Sequence, residues 1–246
     1  MKNITKPSIS IITATYNAAN VLTTAINSLR EQSDKDFEWV VADGGSTDGT
    51  LELLRSIKDL NCKVSSCEDF GIYDALNRAI RLSSGDYYIV IGADDLLDPL
   101  AVSLFKYYAK NHPDLIATNI RVNGVICKPG KGNRWFYGAM AYVAGHSVGM
   151  CIKRSIHDEL GFYSKFYPIV ADQVFILHAI DKGLSLVIAS FVAGEFSTGG
   201  TSGTNYFATA TDFCRAQIDT GANKYLQLLL FVIRICKNLK KISSVH

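Results

Sequence analysis

At 246 residues, with 48% hydrophobic and 20% charged side chains, the sequence can bury a sizeable core, as one large domain or two small ones. A net charge of +2 gives no electrostatic case for nucleic acid as a general partner. The six cysteines show no C-x-x-C pair, and no apolar run has transmembrane length. The expectation is therefore a cytosolic protein with reduced thiols.

Ser8 to Thr13 is a short β-branched run that predicts a buried parallel strand, opening into Ala14-Thr15-Tyr16-Asn17. Ala18 to Gln32 carries apolar residues at helical spacing, at 21, 22, 25, 26 and 29. Phe37 to Ala42 is the second strand, followed by the loop Asp43 to Thr50 and a helix whose stripe is Leu51, Leu54 and Ile57. Cys62 to Ser66 is a weak third strand, and Ile72 to Leu82 a helix closed by Ser83-Ser84-Gly85. Tyr87 to Ile91 is the fourth strand. Strand and helix alternate three times, so a parallel, right-handed sheet is the economical topology. The loops with unusual chemistry all follow strands and would converge on one edge, where open α/β sheets bind ligands.

The fourth strand ends in Gly92-Ala93-Asp94-Asp95. Two adjacent carboxylates there repel one another and gain nothing from a core, whereas a hard cation such as Mg²⁺ or Mn²⁺ would join them. An N-cap is the structural alternative, but Asp98 beside Pro99 is expected to fill that role for the next helix.

Beyond Pro99 the pattern becomes mixed. A helix runs to about Asn111. Asn123-Gly124 between two apolar alternations predicts a hairpin. Lys128 to Tyr137 is basic, aromatic and aperiodic, and is expected to be a loop. Ser147 to Lys153 predicts a strand, Arg154 to Leu160 a short helix, Ala171 to Asp181 a helix ending at Gly183, and Leu186 to Phe196 a strand or strand pair. Tyr225 to Ile242 holds a nearly continuous apolar run, Leu226 to Ile235, together with Arg234, Lys237, Lys240 and Lys241. It is too short and too charged to span a bilayer. It can lie at an anionic interface, or pack on the domain or in a dimer.

Several segments together carry a resemblance. Ser10-Ile11-Ile12-Thr13-x-x-Tyr16-Asn17, Val41-x-Asp43-Gly44-Gly45-Ser46-Thr47-Asp48-Gly49-Thr50 and Glu68-Asp69-x-Gly71-Ile72-Tyr73-Asp74-Ala75-x-Asn77 occur in that order. Gly85-Asp86 and Gly92-x-Asp94-Asp95 follow. Over residues 8 to 203 this set resembles the inverting glycosyltransferases of family 2. His146, Asp172 and Gly199-Gly200-Thr201-Ser202 match further positions of a bacterial subgroup that builds surface polysaccharides.

The resemblance implies an α/β GT-A fold: a Rossmann-like, mostly parallel sheet with helices on both faces and a mixed acceptor-side region. Residues 1–215 would form one domain, with 1–98 binding the nucleotide sugar and 99–215 the acceptor, and 216–246 an apolar, basic helical tail. It places Thr13, Ala14, Thr15 and Tyr16 beside the nucleobase, with Asp43 accepting from a ring N–H, which favours uracil or guanine. Asp74, Asn77, Ala93 and His146 would lie along the donor, although His146 can equally be a satisfied structural histidine. Two departures from the family pattern stand out: Gly44 replaces the second acid of the second-strand motif, and Gly92 the first acid of the metal motif. Asp94 is then the metal ligand for Mn²⁺ or Mg²⁺, with Asp95 assisting or orienting. Asp172 would be the base that deprotonates the acceptor. Arg134, Trp135, Gly200 and Ser202 are candidates for the acceptor or a loop over it.

The function so implied is metal-dependent transfer of a hexose-type sugar from a nucleotide donor, preferably UDP-linked, to a growing glycan. The apolar, basic C-terminal segment would place the enzyme at the cytoplasmic face of the inner membrane, with a lipid-linked acceptor. Two alternatives stand beside it. A nucleotidyltransferase that forms sugar nucleotides would want a basic loop after the first strand, which Ala14-Thr15-Tyr16-Asn17-Ala18 lacks. A degenerate nucleotide-sugar-binding module would explain Gly44 and Gly92, against the retained Asp94 and Asp172.

Overall fold

The computed structural model describes residues 8–130, 132–199 and 206–238. Four strands, β1 (Ile9–Thr15), β2 (Phe37–Asp43), β3 (Cys62–Ser66) and β4 (Tyr87–Val90), lie parallel in the order β3-β2-β1-β4. Their near-continuous apolar sequences follow from burial on both faces. Alternate residues divide between two cores. Ile12, Val40, Ala42, Tyr88 and Val90 face α3 (Ile72–Leu82) and α7 (Ala171–Asp181). Ile11, Trp39, Val41, Tyr87 and Ile89 face α1 (Leu22–Arg30) and α4 (Ala101–Ala109). The remaining helix of this half is α2 (Thr50–Ser56).

The sheet continues across β4 into a mixed half. β8 (Met150–Lys153) runs antiparallel to β4, β6 (Leu115–Val122) antiparallel to β8, and β9 (Leu186–Phe196) parallel to β6. A two-residue strand that the sequence does not announce, β5 (Leu96–Leu97), closes this edge against β9. A Cβ on Gly194 would lie 1.9 Å from the Leu96 carbonyl oxygen, so the pairing requires glycine there. β7 (Val125–Cys127) completes the hairpin with β6. Asn123 and Gly124 at its tip have φ of +50° and +75°, as a type I′ turn demands.

Several expected boundaries shift. β1 runs to Thr15, so Ala14 and Thr15 are strand rather than loop. Asp98 does not cap α4: its carboxylate pairs with Arg121 on β6, and the Gln32 side chain at the end of α1 accepts from Val102 N–H instead. Part of the expected loop after β7 is helical, as α5 (Arg134–Tyr137) and a 3₁₀ turn at Gly138–Ala141. α6 spans Ile156–Leu160. The tail expected from 216 begins within α8 (Tyr206–Asp219), and α9 (Lys224–Lys237) folds back on it. Gln227 of α9 is buried and donates to the Trp135 carbonyl, so the last helix is docked on the domain.

The core beside α7 holds a buried histidine. His157, stacked on Phe162 and Phe175, is held down to about 4 by burial. An unfolded chain takes up this proton near pH 6.5, so the stability due to neutral His157 is complete above pH 6.5 and lost as pH falls toward 4. Urea unfolding should lose about 2–3 kcal/mol between pH 6.5 and 4.5. Glu38, held at about 2 against burial by Lys63, Ser10 and Ser84, adds its own loss only below pH 4.5. A midpoint flat from pH 7 to 4.5 would refute the assignment.

Candidate active site

The carboxyl ends of β1 to β4 bring the sequence-selected loops together. At the β1–β2 end, Asn17 and the Asp43 loop clasp one another: Asn17 N–H donates to Ser46 Oγ, and Thr47 N–H to Asn17 Oδ1. The Tyr16 ring above them is 68% exposed and available to stack. Asp43 itself is buried. Its carboxylate accepts from Thr15, Ser46 and Ser66 hydroxyls and from Gly45 and Ser46 N–H. Burial raises its pKa, but these bonds outweigh it and hold the carboxyl below the ordinary range. A nucleobase N–H reaching Asp43 would have to displace one of these donors.

A second carboxylate occupies the same place. Asp69 Oδ1 accepts from Gly71 N–H, while Oδ2 lies 2.6 Å from where a Cβ on Gly44 would sit. That Cβ would also be 3.4 Å from the Tyr16 ring. The Asp69 carboxylate, 25 residues away in sequence, thus lies where a side chain at 44 would begin. Arg78 lies beneath, donating to the Asp43 and Cys67 carbonyls. Thr13 departs from expectation: it is fully buried, and its hydroxyl accepts from Trp39 Nε1, so it is a core contact rather than a base contact. Ala14 is half-buried beside it.

After β4, the two aspartates divide. Asp95 is buried and tied to three segments: Oδ2 accepts from Gly92 N–H and Ser147 Oγ, and Oδ1 from Ser197 N–H. Burial pushes its carboxyl up against those same bonds. This makes Asp95 the brace of the loop rather than an available ligand. Asp94 is half-buried next to Ala93. Its Oδ1 lies 3.0 Å from a Cβ built on Gly92, and its Oδ2 3.5 Å from one built on Gly199. Two glycines therefore leave the Asp94 carboxylate uncrowded, and a side chain at 92 would meet both acids. Among the described residues no three acidic, histidine or cysteine side chains cluster as a metal cage. One open carboxylate fits a hard cation whose other ligands are diphosphate oxygens and water.

The third part joins α3 to α7. Asp172, in the first turn of α7, accepts from the Tyr73 hydroxyl at 2.5 Å, and its other oxygen faces His146 Nδ1 at 3.9 Å. Tyr73 opens α3 at the same sheet edge, so Asp172 is brought to the site by a residue from the nucleotide half. Burial, reinforced by Asp172, raises the Tyr73 phenol well above its usual range, keeping it a donor. The His146 side chain is 7% exposed and bonds Tyr163, so it stands behind Asp172 rather than along the donor. Asn77 is also structural: its amide exchanges two hydrogen bonds with the Tyr163 backbone. Asp74 remains exposed at the edge, accepting from Phe70 N–H.

Arg134 is committed elsewhere, paired with Asp181 and the Thr220 carbonyl, while Trp135 beside it is 39% exposed. Gly200, Ser202 and Lys131 lie outside the described residues. The sequence marks Asp69 as part of an edge loop and Tyr73 as part of a motif but gives neither a role, and it does not mark Tyr163. Their signal was a polar residue at a helix start beside an edge loop. Tyr163 had none.

A model of the family described as Glycosyl transferase family 2 matches residues 10–164. A PGL/p-HBAD biosynthesis glycosyltransferase of Mycobacterium tuberculosis is 30% identical over 218 residues, covering 80% of each chain. Two solved structures share the fold. A mannosyltransferase from Pyrobaculum calidifontis, in complex with GDP-Man and Mn²⁺, superposes with a TM-score of 0.70 at 19% identity, over 96% of this chain and 76% of that one. S. aureus TarS 1-349, in complex with UDP, superposes with a TM-score of 0.66 at 18% identity, over 95% and 72%.

Proposed function

This chain belongs to glycosyl transferase family 2, and on that premise we propose that it is a metal-dependent, inverting enzyme acting on a UDP-linked donor. Its fold is GT-A, and its mycobacterial relative is a PGL/p-HBAD biosynthesis glycosyltransferase. The acceptor in this proposal is a hydroxyl of a lipid-linked glycan at the cytoplasmic face of a membrane.

One observation carries the reading. A single sheet edge holds an exposed ring with a neighbouring carboxylate (Tyr16, Asp69), a glycine-flanked carboxylate (Asp94), and a carboxylate on a different helix (Asp172). These are the three needs of displacement at an anomeric carbon: a base to seize, a diphosphate to bind, and a hydroxyl to deprotonate. Tyr16 stacks on the base while Asp69 accepts from its ring N–H, which uracil and guanine possess. The neighbours' UDP and GDP-Man support this choice. A cation held at Asp94 would supply Lewis-acid neutralisation of the diphosphate. Asp172, oriented by Tyr73, takes the acceptor's proton as the acceptor oxygen bonds to the anomeric carbon. The carbon–oxygen bond to the diphosphate breaks on the opposite face, its electron pair leaving with the nucleotide. A single displacement inverts the centre.

Thermal unfolding against UDP-, GDP- and CDP-sugars, each with and without Mn²⁺ or Mg²⁺, tests the donor half without an acceptor. A metal-dependent rise with UDP-sugars is expected. No rise with any nucleotide in the presence of metal would overturn the reading in favour of a degenerate module.

The membrane part rests on α9. Tyr225, Leu228, Leu229 and Val232 are each more than half exposed at helical spacing, with Lys224 and Lys237 at the ends of the helix. No described helix is long and apolar enough to cross a membrane, so the face would lie in the headgroup region. The protein should float with vesicles containing phosphatidylglycerol but not with pure phosphatidylcholine. Leu229→Glu should release it at unchanged thermal stability. Equal recovery from both vesicle types would remove the membrane from the proposal.

A further inference from the structure

Behind Asp172 runs a line of buried polar groups that the reaction above does not use. His157 Nδ1 lies 2.9 Å from the Gly161 carbonyl oxygen, and its Nε2 lies 2.8 Å from the Tyr88 hydroxyl. Tyr88 and Tyr163 hydroxyls are 2.7 Å apart, and Tyr163 lies 2.6 Å from His146 Nε2. His146 Nδ1 then faces Asp172 at 3.9 Å. Tyr88 is 0% exposed, Tyr163 3% and His157 4%.

One carbonyl sets the direction of the whole line. A carbonyl oxygen only accepts, so His157 carries its proton on Nδ1, and its Nε2 is a bare acceptor. Tyr88 must therefore donate to His157, which spends its single proton. Tyr163 in turn donates to Tyr88, and His146 donates Nε2–H to Tyr163. Neutral His146 is left with an unprotonated Nδ1 on the side of Asp172. Asn77, clamped on the Tyr163 backbone at both N–H and C=O, holds the line in place.

We infer that His146 is the second proton holder of this site. Buried hydroxyls fix its proton on Nε2, and the bare Nδ1 takes up the proton that Asp172 removes from the acceptor. The inference rests on Asp172 being the base. When the acceptor O–H breaks, its proton first sits on an Asp172 oxygen. Protonated Asp172 then turns to close the 3.9 Å gap, donates to His146 Nδ1 and hands the proton across, restoring the carboxylate and leaving an imidazolium that burial disfavours and the carboxylate steadies. Solvent removes the proton after the products leave, so no other reactant is needed. The ionisable groups around His146 are Asp172 on α7, Tyr73 on α3 through Asp172, and Tyr163 and His157. Only Asp172 is an anion that favours the cation. Tyr88, Tyr163, His157 and Asn77 are positioning residues in this scheme.

Long-range ¹H–¹⁵N spectra of histidine-labelled protein at pH 7.5, with His146 assigned by its loss in His146→Gln, read the tautomers directly. We expect opposite forms for the two buried rings, Nδ1–H for His157 and Nε2–H for His146. Tyr88→Phe removes the acceptor for Tyr163, which turns to donate to His146 Nε2 and moves the His146 proton to Nδ1. Tyr163→Phe, the second variant should the first fail to fold, also frees Nε2 and gives Nδ1–H. Asp172→Asn should lower the pH at which His146 titrates, because it removes the carboxylate that favours the cation. Nδ1–H on His146 in the parent protein, or a titration unchanged by Asp172→Asn, would overturn the inference. Full transfer activity in Asp172→Asn would instead overturn the base assignment, and the proton step with it, while leaving the tautomer result standing. The two failures are therefore distinguishable.

Discussion

Asp172→Asn should reduce sugar transfer by about a thousandfold or more, the scale of a positioned general base in a displacement reaction. Asparagine keeps the shape of the side chain and can still accept from the Tyr73 hydroxyl. The α7 first turn and the core beneath should therefore be undisturbed. Donor binding involves the opposite end of the site, so the thermal shift given by a UDP-sugar with metal should equal that of the parent. Initial rates with the native acceptor, read beside that shift, decide the matter. Retained transfer removes Asp172 as the base, and loss of both would mark a folding defect.

Asp94→Asn should give the converse pattern. With one protein carboxylate offered to the cation, its removal leaves no anionic side chain for the metal at that loop. The metal-dependent part of the thermal shift should vanish, and transfer should fall at least about a hundredfold. Metal-independent nucleotide stabilisation through Tyr16 and Asp69 should persist. Asp95→Asn offers the contrast, because that side chain accepts from Gly92, Ser147 and Ser197 within the protein. Its loss should cost about 1–3 kcal/mol of stability, with metal response retained in whatever remains folded. If Asp95→Asn abolished the metal effect and Asp94→Asn did not, the roles of the neighbours would be reversed.

The backbone was largely readable because its signals are local. The β3, α3 and α7 boundaries follow from periodicity and from terminating glycine or serine, and the Asn123-Gly124 turn announces itself. Reading side-chain roles along the chain was less successful, because those roles depend on partners from elsewhere. Asp98 beside Pro99 has every local mark of a cap, yet Arg121 from β6 claims it and Gln32 does the capping. Arg134 looks like a cation over an acceptor until Asp181 is brought beside it. Thr13 sits in a strand-end motif, but the strand extends two residues further and turns its hydroxyl to Trp39. Asn77 reads as a ligand contact and His146 as either a ligand contact or a structural histidine, and Tyr163 decides both by engaging them. Tyr163 itself could not be found from sequence, since an aromatic in a connecting segment resembles any core residue.

The proximity of Gly44 and Asp69 has a consequence for how such chains can diverge. Any side chain at 44 would begin within 2.6 Å of the Asp69 carboxylate. An acid at 44 therefore needs the flexible Asp69 side chain to swing away, so the two carboxylates compete for one place, one delivered after β2 and the other after β3. The two positions are thus expected to covary as alternatives across an alignment. A search keyed to paired acids after the second strand would discard chains that keep the charge and have merely changed the strand that delivers it.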